Sequence, residues 1–229
     1  MVEKSCLTLI QTYFRDRFLF LLISILCLLI LAPIFRGFVG IRILMDIFTT
    51  AILISGVYAV SKKRYVPLTA ALLALPMLVS IWTNRFVEIP SLVLVGDCFG
   101  ILFMAFMVIV ILSFIFREQE VTSNVIYGAI VVYLLIAIMW AFVFSVLESI
   151  HPGSFAVGED QIEAGRSLFI YYSFVTITTL GYGDITPITP TANSFSFLEA
   201  ITGQIYLVVL VARLVGIHIA QSMDRKRGR

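Results

Sequence analysis

Six long apolar runs, at residues 18–35, 41–60, 66–82, 92–116, 125–147 and 195–219, leave this chain little choice but a lipid bilayer. Crossing the hydrocarbon core as a helix takes about 20 apolar residues, and a helix satisfies its backbone polar groups within the segment, as lipid requires. A soluble fold would need a charged face. Only 13% of the residues are charged and 60% are hydrophobic, with a mean hydropathy of +1.04, whereas soluble domains carry about 25% charged residues. The pattern therefore predicts an all-α membrane protein with six transmembrane helices. The first run is too long for a signal h-region and lacks a small-residue cleavage site. Pro33 suits its end, while Pro67 opens the third run and Pro76 should kink it.

Charge sets the orientation and removes several functions. The net charge of +2 comes without a basic stripe interleaved with aromatics, so nucleic acid is not an expected partner. Basic residues gather before the first run, at Lys62–Arg64, at Arg117 and in the tail 225–229, which puts both termini in the cytoplasm. The other side holds Arg36, Arg42, Arg85 and Arg166, and Arg213 falls inside the last run. Arg42 and Asp46, four apart, share a helical face and either pair or sit solvated at headgroup level. Asp97 is the one charged residue of the fourth run. Cys6, Cys27 and Cys98 give no disulfide framework and read as buried thiols. No Cys/His cluster has metal-ligand spacing, and no cofactor is expected. A membrane enzyme would need paired functional groups at one depth, and Asp46 with Asp97 is a poor candidate.

The connection 148–194 contains Thr178-Thr179-Leu180-Gly181-Tyr182-Gly183-Asp184. Successive carbonyls can all face one ion only if the backbone alternates between right- and left-handed conformations, and glycine visits the left-handed region without steric cost. Gly181 and Gly183 stand at every second position, as such a ribbon requires. Thr179 can add its hydroxyl at the inner end, while Leu180 and Tyr182 should point away and pack behind. A plain surface turn also favours Gly and Asp. The apolar segments bracketing this motif argue against that.

Thr-x-Gly-Tyr-Gly-Asp resembles the selectivity filter of the tetrameric potassium channels, where four such loops meet on one axis. The resemblance implies K+ coordination at Thr179, Leu180, Gly181 and Tyr182, with Gly183 completing the filter and Thr178, Asp184, Tyr171 and Tyr172 supporting it. Residues 171–178 look like that family's pore helix, within an apolar segment 166–178 too short to span and cappable by Ser167. Its C-terminal partial negative charge would face a central cavity. Tyr171 and Tyr172 stand where relatives usually carry two tryptophans, in a cuff bonded to the positions of Tyr182 and Asp184. Leu180 stands where valine is more usual. Gly203 matches the hinge glycine of the inner helix, and close helix packing is the rival reading there.

One motif per chain implies a homotetramer in a lipid bilayer, passing K+ as permeant ligand. The layout reads as a cytoplasmic segment 1–17, a four-helix module 18–116, a linker 117–124, a pore module 125–219 and a basic tail 220–229. Residues 101–116 lack the arginines of voltage-gated relatives, so little voltage dependence is expected. No nucleotide- or calcium-binding cytoplasmic domain is expected after the tail, which leaves gating to the membrane, to pH or to an unknown regulatory protein. Glu148, Glu159, Asp160, Glu163 and Asp184 form a candidate acidic outer rim. Arg213 should snorkel or pair with Glu118 or Glu120, Glu199 should face protein, and His218 reads as an ordinary interfacial residue. A weakly selective monovalent cation channel is the alternative, and a transporter subunit would carry several pore repeats. The compact layout suggests a prokaryotic inner membrane.

Overall fold

The computed structural model describes residues 17–34, 41–59, 65–84, 86–87, 89–158 and 166–227. These form α1 (Arg17–Ile34), α2 (Ile41–Ala59), α3 (Tyr65–Thr83), α4 (Pro90–Arg117), α5 (Ser123–Ile150), β1 (Phe155–Val157), α6 (Arg166–Ile177), β2 (Ile185–Pro187) and α7 (Pro190–Arg227). Each apolar run has become a helix. Among the described residues, α3, α4, α5 and α7 are long and apolar enough to cross a membrane. The 12-residue α6 is not. Lys62–Arg64 and three members of the acidic rim, Glu159, Asp160 and Glu163, lie outside the described residues, as do Cys6 and the side chain of Arg42.

Local chemistry sets the helix ends. Pro90 sits in the first turn of α4, where its missing N–H is no loss. Thr122 caps α5, its Oγ1 accepting the Val125 N–H at 3.4 Å. Thr189 caps α7 likewise, accepting from Ala192 N–H at 3.3 Å, with Pro190 next. That Thr-Pro start places α7 five residues ahead of its apolar run, and the helix continues through the basic tail to Arg227. Pro76 lies within α3 without ending it.

One wall joins the N-terminal helices to the C-terminal ones. Phe18 and Ile25 of α1, Leu53 of α2, Met77 of α3 and Phe103 of α4 share a core with Val132 and Leu135 of α5. The rest of the surface is apolar too: Leu68, Leu72 and Leu75 of α3 are all more than 60% exposed, as a lipid-facing stripe should be. The thiols depart from expectation, since Cys98 is exposed and Cys27 half-buried, both free. They lie on helix faces turned away from this core. Asp97 is buried and accepts the Ser145 hydroxyl at 2.7 Å, tying α4 to α5.

Helices α3 and α4 touch closely at Gly96, where an added Cβ would lie 2.2 Å from Ser80 Oγ and 2.4 Å from its Cβ. Ser80 is held there by its own bond to Leu92 O at 2.9 Å. Gly96→Ala should therefore destabilise the fold by about 1–3 kcal/mol. Thermal unfolding in detergent should show that loss, and Ser80→Gly placed in the same chain should restore most of it.

Candidate functional site

Helix α6 ends inside the protein, and its last carbonyls bind the segment that follows. Phe174 O accepts from Thr178 N–H at 3.3 Å and Thr178 Oγ1 at 2.5 Å. Val175 O accepts the N–H groups of Leu180 at 3.0 Å and Gly181 at 3.4 Å, and Thr176 O accepts from Thr179 N–H at 2.9 Å. The remaining carbonyl, Ile177 O, accepts the Tyr133 hydroxyl of α5 at 3.3 Å. Carbonyls normally orphaned at a helix end are thus all satisfied, and the chain is turned back along the helix it has left.

From there the backbone alternates. Thr179, Gly181 and Gly183 have φ of 60°, 56° and 78°, while Leu180 and Tyr182 are not left-handed. The glycine positions behave as the spacing requires. Thr179 was not foreseen as left-handed, because a β-branched residue rarely goes there. Its N–H bond to Thr176 O and the docking of its neighbours hold it there. Sequence carried no signal for it beyond its place two residues ahead of Gly181. Residues 178–184 are exposed in the single chain, Leu180 at 58% and Tyr182 at 66%. The expected packing of these two side chains is therefore not supplied within one chain.

The two tyrosines divide their work. Tyr171 donates to Asp184 Oδ2 at 2.7 Å, bridging α6 to the end of the motif. Tyr172 is buried and turns the other way, onto Ser196 of α7 at 2.6 Å. The Ser196 proton goes to Ala192 O at 2.7 Å, so Tyr172 is the donor. Tyr172 thus supports the site through α7 and not through Tyr182 or Asp184. Its ring also packs edge-on against Phe144 and Phe155, with centroids 5.0 and 5.2 Å apart. Phe169 closes the group, 5.3 Å from Phe155.

Phe155 belongs to an element missing from the sequence reading. β1 pairs antiparallel with β2, Ala156 opposite Thr186, so the outer loop is stitched to the chain just after Asp184. Three-residue strands some 30 positions apart show no period-2 pattern. Glu148 has a bracing role, its carboxylate accepting the N–H groups of Gly153 at 2.7 Å and Ser154 at 3.0 Å. These amides are unpaired where α5 gives way to a turn. Asp184 remains exposed.

Along α7, Glu199 is buried and hydrogen-bonded to Ser173. Gly203 lies against the base of the motif, where an added Cβ would sit 2.5 Å from Ile177 Cγ1 and 2.8 Å from Ile177 O. Arg213 pairs with neither Glu118 nor Glu120 side chain; its Nη2 donates to Phe116 O at 3.0 Å and Glu118 O at 3.3 Å. The helix α4 ends there, and carbonyls at a helix end have no intrahelical partner and accept readily. His218 is exposed, and Ser167 lies one residue inside α6.

Residues 120–218, from the linker before α5 through most of α7, match the family model described as Ion channel. The match supports an ion channel, over a little less than half of the chain. No curated protein and no solved structure matches the chain. The matched stretch contains the whole motif and the residues that hold it, and it points to a channel rather than an enzyme.

The bond to Asp184 pushes the Tyr171 phenol up to about 12, with smaller contributions from burial and the Asp184 charge. A raised tyrosine favours the folded contact below its ordinary value of 10.0 and loses that preference as pH climbs through the raised one. The tyrosinate absorbance that Tyr171→Phe removes should therefore appear near pH 12. Its appearance near pH 10 would mean that Asp184 does not accept this bond.

Proposed function

We propose that the chain is one subunit of a homotetrameric channel that passes K+ selectively and passively across a cell membrane. The observation that carries the reading is the left-handed backbone at Thr179, Gly181 and Gly183, alternate positions of one exposed ribbon. That alternation is what a column of inward-facing carbonyls needs, and four copies around an axis would replace the hydration shell of K+. Thr179, Leu180, Gly181 and Tyr182 are the proposed ligands, with Gly183 at the outer end. Leu180 and Tyr182, uncovered in one chain, would be covered by adjacent subunits. The intact Tyr182-Gly183 pair favours potassium over a weakly selective cation pore.

Counting α1 and α2 with the four long helices gives six spans, with α6 as a re-entrant pore helix. Burial of α6 in protein is what allows backbone to end at membrane depth. Its C-terminal dipole would favour a cation in the cavity below the filter. The distribution of Lys and Arg favours cytoplasmic N- and C-termini with the filter mouth outside, and the proposed location is a prokaryotic inner membrane. Helix α4 carries Asp97 and, at its end, Arg117 as its only charges. With no arginine ladder to move in the field, gating should depend little on voltage.

In vesicles containing the full chain, K+ should move far faster than Na+, barium should block the flux, and the current should be ohmic or weakly rectifying. Comparable Na+ flux or steep voltage activation would overturn the respective part of the reading.

Gly203→Ala gives a second check. Its methyl would press on the carbonyl at the foot of the filter, an overpacking cost of about 1–3 kcal/mol, which shifts a two-state equilibrium by about 5- to 150-fold. Single-channel records should show a lower open probability, and wild-type gating would remove Gly203 from the gate.

A further inference from the structure

The seam between α6 and α7 has three polar or close contacts, one after another: Tyr172 with Ser196, Ser173 with Glu199, and Ile177 O with Gly203. The middle one is unusual, because Ser173 and Glu199 are both fully buried. Ser173 Oγ also lies 2.6 Å from Ala137 O on α5. A hydroxyl has a single proton to give, and a carbonyl can only accept. The Ser173 proton therefore belongs to Ala137 O. The second contact then requires a proton from the other side, on Glu199 Oε1.

The surroundings agree with that count. Glu199 Oε2 is buried with no hydrogen-bond partner, which is far costlier for a carboxylate than for a neutral acid. The titratable groups facing Glu199 are Tyr133 on α5 and Tyr172 on α6. Their protons are committed to Ile177 O and to Ser196, and neither residue supplies a positive charge.

We infer that Glu199 is a neutral carboxylic acid that donates its proton to Ser173 and latches the inner helix to the pore helix. It is a positioning residue for conduction: it never touches the ion path, but it fixes the helix on which the filter stands. A carboxylate at this spot would need water or a cation, and the seam would have to part to admit either. Removing the proton should therefore disturb the filter from behind. The effect on conduction rests on the channel reading proposed above, whereas the proton itself does not.

The test uses the full chain in lipid vesicles, read by infrared spectroscopy and by K+ flux across a range of pH. Wild type should show the C=O stretch of a protonated carboxyl at neutral pH, and Glu199→Gln should lack it. The Gln amide can still donate to Ser173, so this variant should conduct at neutral pH and keep its flux as pH rises. Wild-type flux should fall several-fold over the same alkaline range. Glu199→Ala, which leaves Ser173 without a donor, should lose flux at every pH. Absence of the carboxyl band, or a Glu199→Gln profile that follows wild type, would overturn the latch. If no variant conducts K+, the channel reading fails while the band still decides where the proton is.

Discussion

An apolar interior offers no hydrogen bond to a stray carbonyl, yet α6 stops after 12 residues, among helices long and apolar enough to cross a bilayer. Everything around the site answers that constraint. Three of the last four carbonyls of α6 are taken by the next few residues of the chain itself, and the fourth by Tyr133. The same bonds that satisfy the helix end also fold the motif back against it. Strain at Thr179 is tolerable because its neighbours on both sides are already anchored. Removing the helix end would leave the left-handed positions with nothing to hold them.

Helix α5 connects this arrangement to the rest of the molecule. One face shares a core with α1–α4, and another receives α6 and α7. Its polar contributions are few and specific. Ala137 O takes the Ser173 proton, Ala129 O takes the Tyr206 hydroxyl at 2.6 Å, and Tyr133 reaches Ile177 O. Carbonyls inside a helix already accept one bond, so a second acceptance needs a donor brought close by packing. Tyr133 and Tyr206 also stack on each other at 5.9 Å, which fixes both hydroxyls at once. A shift of α4 would reach α6 through the Asp97–Ser145 bond and this wall.

The outer side is braced differently. Four aromatic rings from α5, β1 and α6 lie edge to face behind the motif, an arrangement favoured by ring quadrupoles. A short strand pair and the Glu148 carboxylate hold the loop that brings Phe155 into the group. Tyr171 alone reaches forward, to Asp184. Rigidity here comes from packing within one chain, with a single hydrogen bond to the exposed end of the ribbon.

The helices, the shortness of α6 and the positions of Gly181 and Gly183 are all legible in the residue order. Apolar length and glycine spacing are local properties, and no tertiary contact competes with them strongly in a bilayer. The family resemblance also grouped Tyr171 and Tyr172 with Tyr182 and Asp184, without assigning which bonds to which. Packing alone settles where Tyr172 and Arg213 find partners, that Glu148 braces a turn, and that Glu199 meets Ser173. Apart from the turn that Glu148 holds five and six residues on, those contacts join residues 24 to 97 positions apart. Which donor reaches which acceptor depends on how helices pack, and the identity of a residue fixes what it can bond but not what will be beside it.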